Sequence, residues 1–173
     1  MESEQTGRDR TDEGTDLEQL IAAALERTSR TAATAESLTG GNISARLSAI
    51  PGASDWYLGG VVAYDENVKF QLLGVDRGPV ITASAAAQMA SGVARLLEAD
   101  VAVATTGVGG PGPQEDRPEG TVFVAVAIAG ETTVREYHFD GDPSAIVEQT
   151  TEQALEDLHT AIAGGPTPPG PDR

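Results

Sequence analysis

The chain has 173 residues, enough for one domain with a substantial core. It contains no cysteine, which removes disulfides, thiolate zinc sites and a cysteine nucleophile, and only two histidines, His138 and His159, which argues against a histidine-rich metal site and a Ser-His-Asp triad. The formal net charge of −16, from 27 acidic and 11 basic residues, disfavours nucleic acid, whose binding depends on basic patches. Residues 1–15 are polar and lack apolar periodicity, so a disordered lead is expected there. The first helix is predicted from an Asp16 N-cap, burying Leu17, Leu20, Ile21, Ala24 and Leu25 at helical spacing. An alanine-rich, β-branched run from Arg30 to Glu36 reads as a buried strand. It stops at Ser37, Gly40 and Gly41 follow, and Ile43, Leu47 and Ile50 begin a second helical stripe. Ser37 therefore falls on a strand-to-helix turn, among unpaired backbone N–H groups. Such a position suits a helix cap, a nucleophile or a phosphate contact.

After a Pro51–Ser54 loop, residues 56–64 are predicted as the second strand, with a bulge or close approach at Gly59-Gly60. Asp65 is predicted to cap a short helix that carries Val68, Leu72 and Leu73 and closes at Gly74. Residues 82–98 read as a longer helix with Ala85, Met89, Val93 and Leu96 inward, and Val101–Thr106 as a third buried strand. A Gly/Pro-rich loop spans 107–119. Residues 120–129 and 132–140 form a predicted hairpin about Gly130-Glu131. The last helix starts at Asp142-Pro143 and is expected to bury Val147, Ala154, Leu155, Leu158 and Ile162. Residues 164–173 are a Pro/Gly tail expected not to pack, which leaves one domain over 16–163. Alternating strands and helices imply a parallel sheet covered on both faces, and the hairpin makes it mixed. The predicted fold class is thus α/β, with a mixed, mainly parallel five-stranded sheet.

Ser37, Tyr64 and Thr105-Thr106-Gly107 each end a predicted parallel strand and then turn. Ligands of open α/β sheets bind beyond the carboxyl ends of the strands, so topology gathers these residues on one edge. Lys69 lies five residues past Tyr64, in the second turn of the short helix, where its side chain can lean back toward that edge. It is the only lysine; the other ten basic residues are arginines. A desolvated lysine amine can take the proton of a serine, Tyr64 can relay or orient that proton, and the N–H groups of Leu38, Thr39, Gly40 and Gly41 can hold an oxyanion. Bland alternatives stay open: a cap at Ser37, an amphipathic edge residue at Tyr64, a solvated helix lysine at Lys69. Gly107-Val108-Gly109-Gly110-Pro111-Gly112 matches G-x-G-x-x-G, but Pro111 and Pro113 allow no helix to open there, which rejects a dinucleotide fold. The loop still offers N–H groups, at Gly110 among others, to a phosphate or carbonyl.

Six motifs run in order along the chain: Thr34-Ala35-Glu36-Ser37-x-Thr39-Gly40-Gly41, Pro51-Gly52-x-Ser54, Gly59-Gly60-Val61-Val62-x-Tyr64-x-x-x-x-Lys69, Leu73-Gly74-Val75, Thr106-Gly107-x-x-Gly110-Pro111 and Gly120-Thr121-Val122. With them the sequence resembles the CinA C-terminal domain family, the nicotinamide-nucleotide amidohydrolases. The resemblance implies a three-layer α/β/α sandwich. It implies deamidation of nicotinamide mononucleotide to nicotinate mononucleotide and ammonia, in pyridine nucleotide salvage, with neither metal nor cofactor. The family's catalytic serine, tyrosine and lysine fall on Ser37, Tyr64 and Lys69, and substrate binding is expected at Leu38, Thr39, Gly40, Gly41, Thr105, Thr106, Gly107 and Gly110. The chain departs from the family pattern at Leu38, where cysteine is common, at Asp65, where Ser or Thr is usual, and in a more acidic 112–117 loop.

The resulting expectation is a cytoplasmic, stand-alone amidase without the MoCF-like domain of many relatives. It has a small-molecule mononucleotide as partner, no nucleic acid, no membrane, and a homodimeric state implied by the family. No run approaches a membrane span and no signal-peptide core opens the chain. A nucleotide-binding or regulatory module without turnover is the alternative. The acidic surface is expected of a protein from a very salty cytoplasm, where salt screens self-repulsion.

Overall fold

The computed structural model describes residues 14–164. Helix α1 (Gly14–Thr28) leads into strand β1 (Ala32–Glu36) and helix α2 (Asn42–Ser48). A 3-10 turn over Ala53–Asp55 precedes β2 (Tyr57–Val62), α3 (Glu66–Leu72) and α4 (Ala83–Leu97). Strands β3 (Val101–Gly107), β4 (Thr121–Ile128) and β5 (Glu131–His138) follow, and α5 (Pro143–Gly164) ends the described chain. The five strands lie in the order β2-β1-β3-β4-β5. Strand β1 pairs in parallel with both β2 and β3, and the β3–β4 and β4–β5 pairs are antiparallel. The mixed five-stranded sheet within an α/β fold is thus as the sequence predicts.

Strand alternation divides the core into two layers. Ala32, Val101, Val103, Val122, Val124 and Val126 face α1, α2 and α5, with Ile21, Leu25, Leu47, Leu155 and Leu158 packed on them. Ala33, Ala35, Ala102, Ala104, Ala125 and Ala127 face the other way, toward Met89, Ala90 and Val93 of α4. The two central parallel strands thus show alanine to that second core at Ala33, Ala35, Ala102 and Ala104, and Thr106 ends the row on β3. Thr82 caps α4 through Oγ1, which accepts from Ala85 N–H at 3.0 Å, and Asp142 caps α5 the same way through Ala145 N–H at 2.9 Å.

Several boundaries and facings differ from expectation. Helix α1 starts at Gly14, so Asp16 lies inside it and two residues of the expected lead are helical; the rest of that lead, and residues 165–173 of the tail, lie outside the described residues. Strand β1 starts at Ala32 rather than Arg30, and Trp56 is a buried core residue just ahead of β2. Leu20, Leu72 and Leu96 are exposed. On α1 and α4, Ala22, Ala86 and Ala90 take inward places while these leucines stay outside. Of the bulge or close approach expected at Gly59-Gly60, the close approach is at Gly60 and the bulge falls one residue before the pair. The β1–β2 register slips by one residue at Leu58, and a Cβ on Gly60 would overlap Thr34 Oγ1. Among the described residues no helix is long and apolar enough to cross a membrane.

Gly92, midway along α4, is held by a similar contact. A Cβ there would overlap the carbonyl oxygen of Leu73. Alanine normally gains a helix about 1 kcal/mol over glycine. Here Gly92→Ala is expected to lose about 1–3 kcal/mol through overpacking, read as a lower midpoint in urea denaturation at unchanged slope.

Candidate active site

Two parallel pairings set the site. They align the ends of β1, β2 and β3, and the residues that follow those strands meet at a cleft of about 400 Å³. Ser37, Tyr64, Asp65, Glu66, Lys69, Thr106 and Gly107 line it, closed on the far side by Val80, Ile81, Gln114 and Glu115. Ser37 is fixed through its main chain: its N–H donates to Thr105 O at 3.1 Å, and the carbonyl of Glu36 before it accepts from Ala63 N–H at 2.8 Å. The turn then closes with Gly40 N–H on Ser37 O at 3.1 Å, and Gly40 and Gly41 adopt positive φ of 58° and 106°.

Lys69 is only 2% exposed, so it is not the solvated helix lysine of the alternative reading. Asp65 caps its helix, accepting from Asn67 N–H at 2.8 Å. The Lys69 side chain runs back along α3, and its ammonium donates to the carbonyl oxygens of Ala63 at 2.7 Å and Tyr64 at 3.3 Å. Among the described residues no carboxylate bonds it. Burial pushes the amine below the ordinary lysine range, while the charges of Asp65, Glu115 and Glu66 pull partly back up. No hydrogen bond joins Ser37 to Lys69 among the described residues; the two share the cleft wall. Tyr64 is 73% exposed at the cleft rim.

Other expected site residues separate from the cleft. Ser37 does not cap α2. The fully buried Glu36 does, accepting from the N–H groups of Gly41 at 3.0 Å, Ile43 at 3.1 Å and Ser44 at 2.7 Å. Gly41 N–H is therefore committed, as is Gly40 N–H, and the start of α2 is not open to a phosphate. The N–H groups of Leu38 and Thr39 carry no partner among the described residues, and neither residue lines the cleft. The Thr39 and Thr105 hydroxyls are buried and bond each other at 2.9 Å. Thr106, although on the cleft wall, gives its hydroxyl proton to Val80 O at 2.8 Å. Gly110 stands away from the cleft, where a Cβ would press on the Glu119 carboxylate at 2.6 Å.

Two residues not singled out from the sequence matter here. Glu36 is one. Its sequence signals are a carboxylate inside an apolar strand and a place in the first family motif, and neither assigns it a role. Glu115 is the other: its carboxylate accepts from Val80 N–H at 3.0 Å and Ile81 N–H at 2.7 Å, binding the 107–119 loop across the cleft to the segment before α4. Nothing in a Gly/Pro-rich loop announces that contact.

The lowered Lys69 pKa has a defined sign in stability. Between the folded and unfolded pKa the unfolded chain binds more protons, so wild-type stability gains from this group as pH rises through that window below the ordinary lysine value. Lys69→Met is expected to lack that gain, measured as the difference between wild-type and variant urea midpoints across alkaline pH.

The model of the CinA C-terminal domain family matches residues 14–162. A CinA-like protein of Frankia casuarinae is 40% identical over 155 residues, which cover 87% of this chain and 36% of that protein. A CinA-like protein of Salinibacter ruber is 40% identical over 153 residues, 85% and 37% of the two chains. The chain thus spans about a third of the length of the curated relatives it matches. Among solved structures, the CinA superfamily protein of Klebsiella pneumoniae superposes with a TM-score of 0.85 at 31% identity, covering 89% of this chain and all of that one. That of Enterobacter cloacae gives 0.84 at 30% identity, over 94% of this chain and 99% of that one. Motif order, sheet order and these matches agree: the chain belongs to the CinA C-terminal domain family.

Proposed function

We propose that the chain hydrolyses the carboxamide of nicotinamide mononucleotide, giving nicotinate mononucleotide and ammonia. One observation carries the reading. A buried lysine with a lowered pKa, bonded to two main-chain carbonyls and to no carboxylate among the described residues, shares a cleft with a serine on a strand-to-helix turn. Neutral Lys69 takes the Ser37 hydroxyl proton, and Ser37 Oγ attacks the carboxamide carbon. The developing oxyanion sits against the N–H groups of Leu38 and Thr39. Lys69 returns its proton to the leaving nitrogen, which departs as ammonia. Water, deprotonated by Lys69, then hydrolyses the Ser37 ester and restores the hydroxyl. Tyr64 orients the proton at the rim. The cationic pyridinium suits a cleft edged by Asp65, Glu66 and Glu115, and the phosphate is assigned to the N–H groups at the start of the 107–119 loop.

The test is ammonia release from nicotinamide mononucleotide, at low and high salt. Wild type is expected to turn over. Ser37→Ala and Lys69→Met are each expected to fall by about 10³-fold or more, the scale on which loss of a nucleophile or its base registers. Full activity in either variant sinks the dyad, and wild-type binding without release assigns the chain to a nucleotide-binding module.

The pH profile supplies a separate check. Activity is expected to rise with pH as Lys69 loses its proton, with a midpoint below the ordinary lysine range. The Asp65 charge holds that midpoint up, so Asp65→Asn, which keeps a helix-capping side chain, is expected to move it to lower pH.

A further inference from the structure

The Glu36 carboxylate has no exposed surface and, among the described residues, no cation against it, yet four donors converge on it. Oε2 takes the N–H groups of Gly41 and Ile43, at 3.0 and 3.1 Å. Oε1 takes the N–H and the hydroxyl of Ser44, both at 2.7 Å. The row continues beyond Ser44. Its Oγ lies 2.7 Å from Thr34 Oγ1, which lies 2.9 Å from the Tyr57 hydroxyl. With Ser44 donating to Glu36, each hydroxyl gives its proton to the next in one direction, from Tyr57 through Thr34 and Ser44 to the carboxylate. The missing Cβ of Gly60 makes room for this row.

A seven-residue helix needs a cap, but a serine or aspartate at its own N-cap would supply one at far lower desolvation cost. The cap position is instead Gly41, without a side chain, and the acceptor comes from the residue next to Ser37. Glu36 is tied at its carbonyl to Ala63, whose own carbonyl receives the Lys69 ammonium at 2.7 Å. Main chain and side chain of this one residue thus connect the start of α2, the 37–41 turn and the peptide that holds Lys69.

We propose that Glu36 is a positioning residue. Its carboxylate sets the 37–41 turn, and with it the Ser37 hydroxyl and the Leu38 and Thr39 N–H groups, before substrate enters. The proposal rests on Ser37 acting as the nucleophile. Glu36→Gln keeps the volume but turns an NH₂ group toward N–H donors, which must displace the turn or the helix start. The expected result is a folded protein with kcat lowered about 100-fold, the loss typical of a misplaced reacting group, and KM changed less than about threefold. Tyr137→Phe, which removes hydrogen bonds to Asp157 at the β5 edge of the sheet, three strands from β1, supplies a destabilised control that keeps wild-type kcat. A folded Glu36→Gln with wild-type kcat, or with only KM raised, overturns the proposal. If Glu36→Gln does not fold, Ser44→Ala withdraws one donor and is expected to lower kcat about 3- to 10-fold; an unchanged kcat there overturns it. If wild type releases no ammonia, the proposed function fails and amide hydrogen exchange decides the positioning. Protection lost in the variant at Gly41, Ile43 and Ser44 but kept in the rest of the sheet supports it, and unchanged protection overturns it.

Discussion

Strand β1 is enclosed on both faces and hydrogen-bonded along both edges, and all five of its residues are buried. A polar side chain can occupy such a strand only if its bonding capacity is met inside the protein. Two do, Thr34 and Glu36, and both point toward the α2 face. Their needs are met by Ser44, Tyr57 and the first N–H groups of α2. The requirement to satisfy a buried strand therefore fixes where α2 starts and how the chain leaves β1. Since Ser37 is the residue at which the chain leaves, the geometry of the cleft follows from the satisfaction of the core.

The same economy holds for Lys69. An ammonium taken from water needs acceptors, and the chain supplies two main-chain carbonyls rather than a carboxylate. Carbonyls stabilise the charged form less than a carboxylate in contact would, so burial still lowers the pKa of the amine while the carbonyls anchor it. Asp65, Glu66 and Glu115 act only at longer range. Core and cleft meet at Ala63, whose N–H goes to Glu36 and whose carbonyl goes to Lys69.

Much of this was legible in the sequence, and what was not has physical reasons. Local signals carried furthest. Asp65 and Pro143 marked helix starts because caps and first-turn prolines act within a few residues, and the strand–Ser–Gly–Gly–helix pattern placed Ser37 correctly on a turn. The uniqueness of Lys69 singled it out, although no periodicity could have shown its burial. The missed contacts span the chain. Glu36 caps a helix five to eight residues ahead, which requires knowing the face to which its strand alternation turns it. Glu115 reaches back over thirty residues to Val80 and Ile81. The hydroxyls of Thr39 and Thr105 satisfy each other across two elements, so threonines that look like ligand contacts in sequence are spent inside the fold. Leu20, Leu72 and Leu96 show the converse. Spacing assigned them inward, but helix orientation on the sheet decides which edge of an apolar stripe is covered.

The alanine and valine faces of the sheet give the two cores unequal room for evolutionary drift. On the face toward α1, α2 and α5, the valines of β3 and β4 can lose or rearrange a methyl group, and neighbouring leucines can trade volume with them. On the face toward α4, β1 and β3 are already at alanine, with little left to remove, and almost every change adds atoms. Selection there works against growth rather than shrinkage. Lineages that diverge within this architecture would be expected to change residues in concert on the valine side while the alanine side stays small, so that the history of the sequence records which helix packs against less bulk.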